Sequence, residues 1–234
     1  MLLSVLIATL EPRRHLFARL YDQLACQLAG GLEDEVEVLY LRDNGERPIG
    51  WKRNELMERA RGEFVAFVDD DDRVSGDYVR LVCNAIRCHP DIDCIGISGV
   101  IAFRGNHPRQ FIRSIRHADY RRLGGAYVGP PYHLNPIRRS IASRYRFENV
   151  SYSEDIDWSM RVARDGVLRN ECFIESVLYY YDCRRVWAYQ WLVDRTENVR
   201  HAFGLRLYNR LRLERGARAI LSKIRGASQT GDAL

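Results

Sequence analysis

The chain has 234 residues, of which 46% are hydrophobic, and its formal net charge at pH 7 is +5. These values exclude a disordered chain, which combines low hydrophobicity with high net charge, and they suit one large α/β domain with or without an appendage. No segment reaches the ~20 apolar residues of a membrane-spanning helix. Residues 1–10 lack the basic start and the cleavage site of a signal peptide, so we expect a soluble, cytoplasmic protein.

Predicted strands and helices alternate up to Cys88. In chain order they are a strand at Leu2–Ala8, a helix at Arg13–Leu28, a strand at Val36–Leu41, a helix at Lys52–Ala60, a strand at Phe64–Val68 and a helix at Asp77–Cys88. This alternation is typical of a doubly wound α/β sheet, which binds ligands at the carboxyl ends of its strands. Thr9, Asp43 and the run Asp69–Asp72 stand at those ends.

The second half of the chain is less regular. Strands are predicted at Ile92–Phe103 and Cys172–Tyr181, and a helix capped by Ser153 is predicted at Ser153–Gly166. The polar, arginine-rich residues 104–123 show no clean periodicity and are predicted to form a loop or a variable insertion. From about residue 186 onward the pattern predicts two helices. They are basic, because eight basic residues accompany Glu214 alone between Arg200 and Arg225.

Four adjacent aspartates, Asp69–Asp72, follow the apolar strand that begins at Phe64. Carboxylates this close repel one another unless a cation or solvent relieves them, and oxygen ligands suit hard cations such as Mg²⁺, Mn²⁺ or Ca²⁺. The alternative is a solvated acidic turn that caps the following helix. The position at a strand end favours a divalent-metal and phosphate site.

A second acidic group opens the helix predicted at Ser153. Glu154 and Asp155 complement the positive end of any helix, so an ordinary cap is one interpretation. The other is that Asp155 is a general base that takes a proton from a substrate hydroxyl. His133 also has two interpretations, as a residue of the acceptor pocket or as a hydrogen-bonded structural histidine.

Together these motifs resemble glycosyltransferase family 2, whose members have the glycosyltransferase A fold. The matching elements occur in the family's order: the strand Ser4–Thr9, Asp43, Lys52-Arg53-Asn54, Gly62–Asp72, the acceptor segment Gly124–Arg139 and Ser153-Glu154-Asp155. The resemblance covers about residues 2–182. It implies an α/β, Rossmann-like fold with a mixed, mostly parallel sheet flanked by helices.

The resemblance also implies a domain organisation. Residues 1–185 would form the catalytic domain, with a nucleotide-sugar half at about 1–103 and an acceptor half at about 104–185. A basic helical extension would follow at residues 186–234.

Roles follow for individual residues. The resemblance assigns the nucleotide pocket to Thr9, Glu11, Asp43, Arg53, Asn54, Asp69 and Asp70, and the metal to Asp71, Asp69 and Asp72. The register within the four aspartates stays open by one residue. Asp155 would be the catalytic base. The acceptor side would include His133, Glu154 and Arg184.

The implied activity is the transfer of a hexose or pentose from a nucleotide-diphospho-sugar, with a UDP-sugar favoured. Mn²⁺ or Mg²⁺ would neutralise the diphosphate leaving group, and one carboxylate on the opposite side would activate the acceptor with inversion. Some members supply a late histidine to the metal, which residues Tyr179–Arg185 lack. Arg184 or Arg185 would then either help neutralise the diphosphate or form a surface ion pair.

Several acceptors and functions stay open. A glycan or lipid-linked glycan is favoured, with peripheral membrane contact through the basic C-terminal helices. The same helices suit nucleic acid, where the acceptor would be a hydroxymethylated base in phage-type DNA. A sugar nucleotidyltransferase would require a glycine-rich loop, and Thr9–Arg14 has no glycine. A non-catalytic nucleotide-sugar-binding module would not require both the aspartate run and Asp155.

Overall fold

The computed structural model describes residues 1–103 and 106–183. Its elements are β1 Leu3–Leu10, a 3-10 turn Glu11–Arg13, α1 Arg14–Leu28, β2 Val36–Asp43, α2 Ile49–Arg59, β3 Phe64–Phe67, β4 Arg73–Val74, α3 Tyr78–Cys88, β5 Cys94–Phe103, β6 Asn106–Arg113, β7 Arg121–Leu123, β8 Ala126–Gly129, β9 Ile137–Arg138, α4 Arg139–Ala142, α5 Glu154–Arg164 and β10 Glu171–Cys183. Arg184 and the predicted basic helices lie outside the described residues. Within those residues, no helix is long and apolar enough to cross a membrane.

One sheet holds all the strands in the order β2-β1-β3-β9-β5-β6-β8-β7, with β10 paired to β5 and β4. β1 runs parallel to both β2 and β3, and β10 runs parallel to β5. Antiparallel pairs join β5 to β6 and include the short strands β4, β7 and β9. Most paired residues belong to the parallel pairs, so the predicted mixed, mostly parallel sheet is confirmed.

The carboxyl ends of the first three strands meet at one edge of the sheet. Leu10 of β1 stands opposite Asp43 of β2, and Leu6 stands opposite Phe67 of β3. The crossover helices α1 and α2 make this possible, because parallel neighbours cannot be joined by a tight turn. Thr9, Asp43 and the aspartate run therefore lie at the same edge, as predicted.

Residues 104–123 were predicted to form a loop, and this prediction is wrong, because β6 and β7 lie in this region. The alternation of β6 is hard to see in the sequence because Arg113 is buried. Its guanidinium lies 4.8 Å from the Tyr120 ring and 5.0 Å from the Tyr132 ring. Arg113 is thus an inward position of β6, two residues after the buried Phe111. A pattern that treats every arginine as a surface residue hides this alternation.

Helices α2 and α5 share one apolar cluster beneath the sheet. Leu56 and Met57 of α2 belong to the same buried cluster as Trp158 and Val162 of α5. The Phe147 ring stacks on the Trp158 ring at a centroid distance of 5.2 Å. This packing sets the position of α5, which carries the second acidic group.

Gly50, in the first turn of α2, lies against the segment 148–150. Its N–H donates to the carbonyl oxygen of Val150 at 3.1 Å. A Cβ built on Gly50 would lie 1.8 Å from the carbonyl oxygen of Glu148. Since that oxygen belongs to the backbone, no side-chain rotation relieves the overlap.

Gly50→Ala is therefore expected to lower the free energy of unfolding by about 2 kcal/mol, the cost of forcing extra volume into a packed site. Gly76→Ala is the matched control, because nothing lies within 4 Å of a Cβ at Gly76. Urea unfolding of the two variants and the parent measures the difference. Equal midpoints for Gly50→Ala and Gly76→Ala would contradict the close contact.

Candidate active site

The aspartate run that follows β3 contains two kinds of side chain. Asp69 and Asp71 expose 29% and 24% of their side-chain surface. Asp70 and Asp72 are buried. The partly exposed pair faces the solvent, whereas the buried pair is enclosed by the protein.

The buried carboxylates are fixed by neighbouring elements. Asp70 accepts a hydrogen bond of 2.6 Å from the Thr9 hydroxyl and forms an ion pair with Arg13. Asp72 accepts a hydrogen bond of 2.8 Å from the hydroxyl of Tyr179 in β10. The Tyr179 oxygen in turn accepts the backbone N–H of Asp69 at 3.1 Å. These contacts favour Asp69 and Asp71 over Asp72 as cation ligands.

Arg53 of α2 joins the aspartate run to the second acidic group. Its guanidinium donates to Asp69 and to Glu154, both at 2.9 Å. It is also 5.6 Å from each of the Phe67 and Phe147 ring centroids. Burial opposes ionisation of Asp69, but the charges of Arg53 and His133 outweigh it and hold the pKa of Asp69 well below its usual range.

Asn54, the neighbour of Arg53, is buried and engaged within the protein. Its side-chain amide donates to the carbonyl of Phe147 at 2.9 Å and accepts the Phe147 N–H at 2.8 Å. This pair of bonds braces the segment that precedes α5. The contacts favour a bracing role for Asn54 over the predicted contact with a nucleotide.

Glu154 lies in the first turn of α5 and is buried against Arg53. Burial raises the pKa of Glu154 to about 7, since the opposing effect of Arg53 is countered by the nearby Asp155 and Asp69 carboxylates. The folded protein therefore retains the Glu154 proton well above the ordinary pKa of 4.5.

This shift predicts a pH dependence of stability. Between about pH 5 and pH 7 the unfolded chain has released this proton while the folded protein retains it, so the free energy of unfolding should fall as pH rises, by up to about 3 kcal/mol from this group. Glu154→Gln should flatten the dependence. Glu58→Gln, a change at a side chain that is 56% exposed, should leave it unaltered. Chemical unfolding at pH 5, 6 and 7 tests this, and parallel profiles for the parent and Glu154→Gln would contradict it.

His133 lies buried between the two acidic groups. Its Nε2 is 3.5 Å from Oδ2 of Asp69, and its Nδ1 is 3.7 Å from Oδ2 of Asp155. Burial and the charge of Arg53 lower the pKa of His133 despite these carboxylates. The Asp155 side chain is 27% exposed, so an acceptor can reach it.

The predicted cap at Ser153 is wrong. Ser153 has φ 62°, in the left-handed region, and its side chain makes no capping hydrogen bond. A capping serine has extended backbone, which this turn excludes. The start of α5 is instead set by the bond of Glu154 to Arg53 and by the packing of Trp158.

Lys52 fastens the ends of the first two strands together. Its Nζ donates to the carbonyl of Thr9 at 2.8 Å and to Oδ1 of Asp43 at 2.6 Å. Asp43 also accepts the backbone N–H groups of Gly45 and Arg47. Although burial acts in the opposite direction, these bonds lower the pKa of Asp43, which keeps an anion at the strand edge.

A pocket of about 640 Å³ opens at this edge of the sheet. Its polar lining residues are Thr9, Arg13, His15, Arg47, Lys52, Asp69, Asp70, Asp71, Ser151, Tyr152 and Tyr181. Glu11 is not among them and pairs with Arg42 at 3.0 Å. Asp155 is not among the lining residues either. It lies 3.7 Å from Nδ1 of His133, and Nε2 of the same ring lies 3.5 Å from the lining residue Asp69.

The pocket wall offers carboxylate oxygens to a cation. In residues 1–103 and 106–183, no group of three or more histidine, cysteine or acidic side chains is arranged to hold a metal ion. Asp69 and Asp71 nevertheless both line the pocket, and their oxygens match the ligands that Mg²⁺ or Mn²⁺ prefers. Because Mg²⁺ is commonly held by one or two carboxylates together with substrate phosphates and water, the residues fit a cation of this kind.

Lys52 and Arg13 are among the pocket residues that were not predicted as site residues. Lys52 had a signal in the sequence, since it is one of two lysines among 36 basic residues. Nothing in the sequence distinguishes Arg13 from its neighbour Arg14, a surface arginine whose side chain is 74% exposed.

Comparison with known proteins gives one family match and several structural ones. The family model described as Glycosyl transferase family 2 matches residues 23–149. That range contains Asp43, Arg53 and the aspartate run, whereas Thr9 and Asp155 lie outside it. No curated protein matches the chain.

Solved structures of similar fold include a fragment of TarS from S. aureus, residues 1–349, in complex with UDP. The TM-score is 0.53 at 17% identity, over 78% of this chain and 60% of the fragment. A second crystal structure of TarS 1–349 gives a TM-score of 0.52 at 17% identity, over 78% of this chain and 60% of the fragment. Mannosyltransferase PcManGT from Pyrobaculum calidifontis, in complex with GDP-Man and Mn²⁺, gives 0.46 at 13% identity, over 81% and 59%. This chain thus spans 60% of the TarS fragment, with which it shares a fold.

Proposed function

Because this chain belongs to glycosyl transferase family 2, we propose that it transfers a sugar from a nucleotide-diphospho-sugar to an acceptor hydroxyl. The observation that carries the proposal is the position of His133. This one imidazole lies between Asp69 in the pocket wall and Asp155, the candidate base. In the proposed reaction, the donor side and the acceptor side would meet at this imidazole.

The pocket is the proposed donor site. Thr9 of the lining, and Asp43, which contacts the lining residue Lys52, would bind the nucleoside. Asp69 and Asp71 would hold Mn²⁺ or Mg²⁺ beside the diphosphate. When bound, the cation neutralises the charge that builds on the leaving diphosphate. A UDP-sugar is the proposed donor, a choice supported by the UDP complex of the TarS fragment.

Asp155 is the proposed catalytic base. As the acceptor oxygen bonds to the anomeric carbon, the bond from that carbon to the diphosphate oxygen breaks, and the acceptor proton passes to Asp155. The anomeric carbon becomes oxocarbenium-like during this exchange. Since one base faces one leaving group, the proposed reaction is a single displacement with inversion. The proposed acceptor is a glycan or a lipid-linked glycan.

A donor panel tests the activity. The protein is incubated with UDP-, GDP- and dTDP-sugars and Mn²⁺, with or without EDTA, and release of the nucleotide diphosphate is followed. Turnover of one donor class that EDTA abolishes and Mn²⁺ restores would support the proposal. Nuclear magnetic resonance of the product, when an acceptor is supplied, reports the anomeric configuration.

The outcomes also separate the other functions. Thermal stabilisation by a nucleotide without turnover of any donor would favour a nucleotide-sugar-binding module. Full turnover in EDTA would retain sugar transfer and contradict the metal dependence. A product that retains the donor's anomeric configuration would contradict direct displacement by one base.

A further inference from the structure

Arg13 forms ion pairs with two members of the aspartate run. It ends the 3-10 turn that follows β1 and lines the pocket. Its Nη2 contacts Oδ1 of Asp70 and lies 2.7 Å from Oδ2 of Asp71. The guanidinium thus bridges a buried carboxylate and one of the two carboxylates that face the pocket.

The other cations near the run have different partners. Arg53 pairs with Asp69 and Glu154. Arg19 donates to the backbone carbonyls of Asp71 and Asp72, at 3.0 Å each. Within the described part of the chain, the ion pairs of the Asp70 and Asp71 side chains both go to Arg13.

This arrangement places a positive charge where a divalent cation would approach Asp71. An ion reaching Asp71 alone must break a close guanidinium–carboxylate contact and then lie beside a guanidinium that has lost a partner. A diphosphate changes this balance, because its oxygens match the guanidinium fork as well as a carboxylate does. Arg13 can then exchange Asp71 for phosphate while it retains Asp70.

We propose that Arg13 is an internal counter-ion that makes the binding of the divalent cation depend on the nucleotide diphosphate. Without nucleotide, Arg13 bridges Asp70 and Asp71 and keeps the affinity of the site for the cation low. With nucleotide, Arg13 turns to the diphosphate and leaves Asp71 to the cation. The inference rests on the proposed function, since it requires a diphosphate donor and a cation in this pocket.

Electron paramagnetic resonance of Mn²⁺ tests the coupling directly, because the signal of free aqueous Mn²⁺ disappears on binding. The folded parent protein is titrated with Mn²⁺ alone and with UDP, and the Mn²⁺–UDP titration without protein is subtracted. We expect UDP to raise the Mn²⁺ affinity of the parent at least about tenfold, within the usual range of coupling between two ligands.

Variants at two neighbouring arginines provide the comparison. Arg13→Gln should bind Mn²⁺ without UDP about tenfold more tightly than the parent and lose most of the coupling. Arg14→Gln is the matched control, since Arg14 is exposed and 3.8 Å from its partner Glu11, and it should behave like the parent. If Arg13→Gln does not fold, Arg13→Lys, which keeps the charge without the fork, should shift the Mn²⁺ affinity in the same direction by less.

Two results would overturn the inference, and they differ in what they say about the proposed function. Equal Mn²⁺ affinity without UDP in the parent and in a folded Arg13 variant would overturn the role of Arg13 and leave metal-dependent transfer intact. Absence of Mn²⁺ binding to every protein, with UDP, GDP or dTDP present, would overturn the metal dependence and the inference together.

Discussion

Asp155→Asn is expected to reduce the turnover number about 10²–10⁴-fold, the usual contribution of a positioned general base. Asparagine keeps the shape of the side chain, but it cannot accept the acceptor proton. Nucleotide affinity should change little, because Asp155 lies outside the pocket wall and contacts it through His133. Steady-state kinetics with the donor found in the panel, and calorimetry with its nucleotide, measure the two quantities separately.

Asp157→Asn is the matched control for this variant. Asp157 lies on the same helix, two residues further on, and pairs with Arg161 at 2.8 Å. Removing a partly exposed pair of this kind should leave turnover close to that of the parent. A similar loss in both variants would point to damage to α5, and near-normal turnover in Asp155→Asn would contradict its role as the base.

Arg53→Met is expected to lower the free energy of unfolding by about 3–5 kcal/mol, the usual result of removing one partner from a buried ion pair. Methionine approximates the apolar stem between the Phe67 and Phe147 rings. It leaves Asp69, and Glu154 where it is ionised above about pH 7, without the charge that compensates them. Urea unfolding at constant pH and ionic strength measures the loss.

Two further variants separate charge from packing. Arg59→Met removes an exposed arginine from the same helix, where it pairs with Glu55, and should cost less than about 1 kcal/mol. The double variant Arg53→Met with Glu154→Gln should recover part of the stability, since one buried carboxylate is gone. If the double variant loses as much free energy of unfolding as the two single variants together, Arg53 and Glu154 are not coupled.

The general plan of the fold was predictable because buried parallel strands leave a plain pattern. β1 and β3 are apolar along most of their length, and the helices between them have ordinary spacing. Polar residues after such strands must meet at the carboxyl edge, so the grouping of Thr9, Asp43 and the aspartates followed from topology. Three predicted strands of this half, at Leu2, Val36 and Phe64, are confirmed within two residues.

Which of the four aspartates are buried and which are exposed was not predictable, because their burial depends on partners far away in the chain. Asp72 is turned inward by Tyr179, and Asp70 is held by Thr9 and Arg13. Identical residues in a row carry no signal of which one faces solvent. Arg113 illustrates the same limit, since its burial depends on aromatic rings from other segments.

Tyr179 has a consequence for the order in which the protein forms. Its bond to Asp72 spans 107 positions of the chain, and the bond from Arg53 to Glu154 spans 101. Contacts of such separation form slowly, because a long loop must close before they are made. As the chain leaves the ribosome, β1 to β3 can pair early, but the aspartate loop gains its final shape once β10 has joined the sheet. A nascent chain that ends before Tyr179 would therefore have strands β1 to β3 without the ordered aspartate loop.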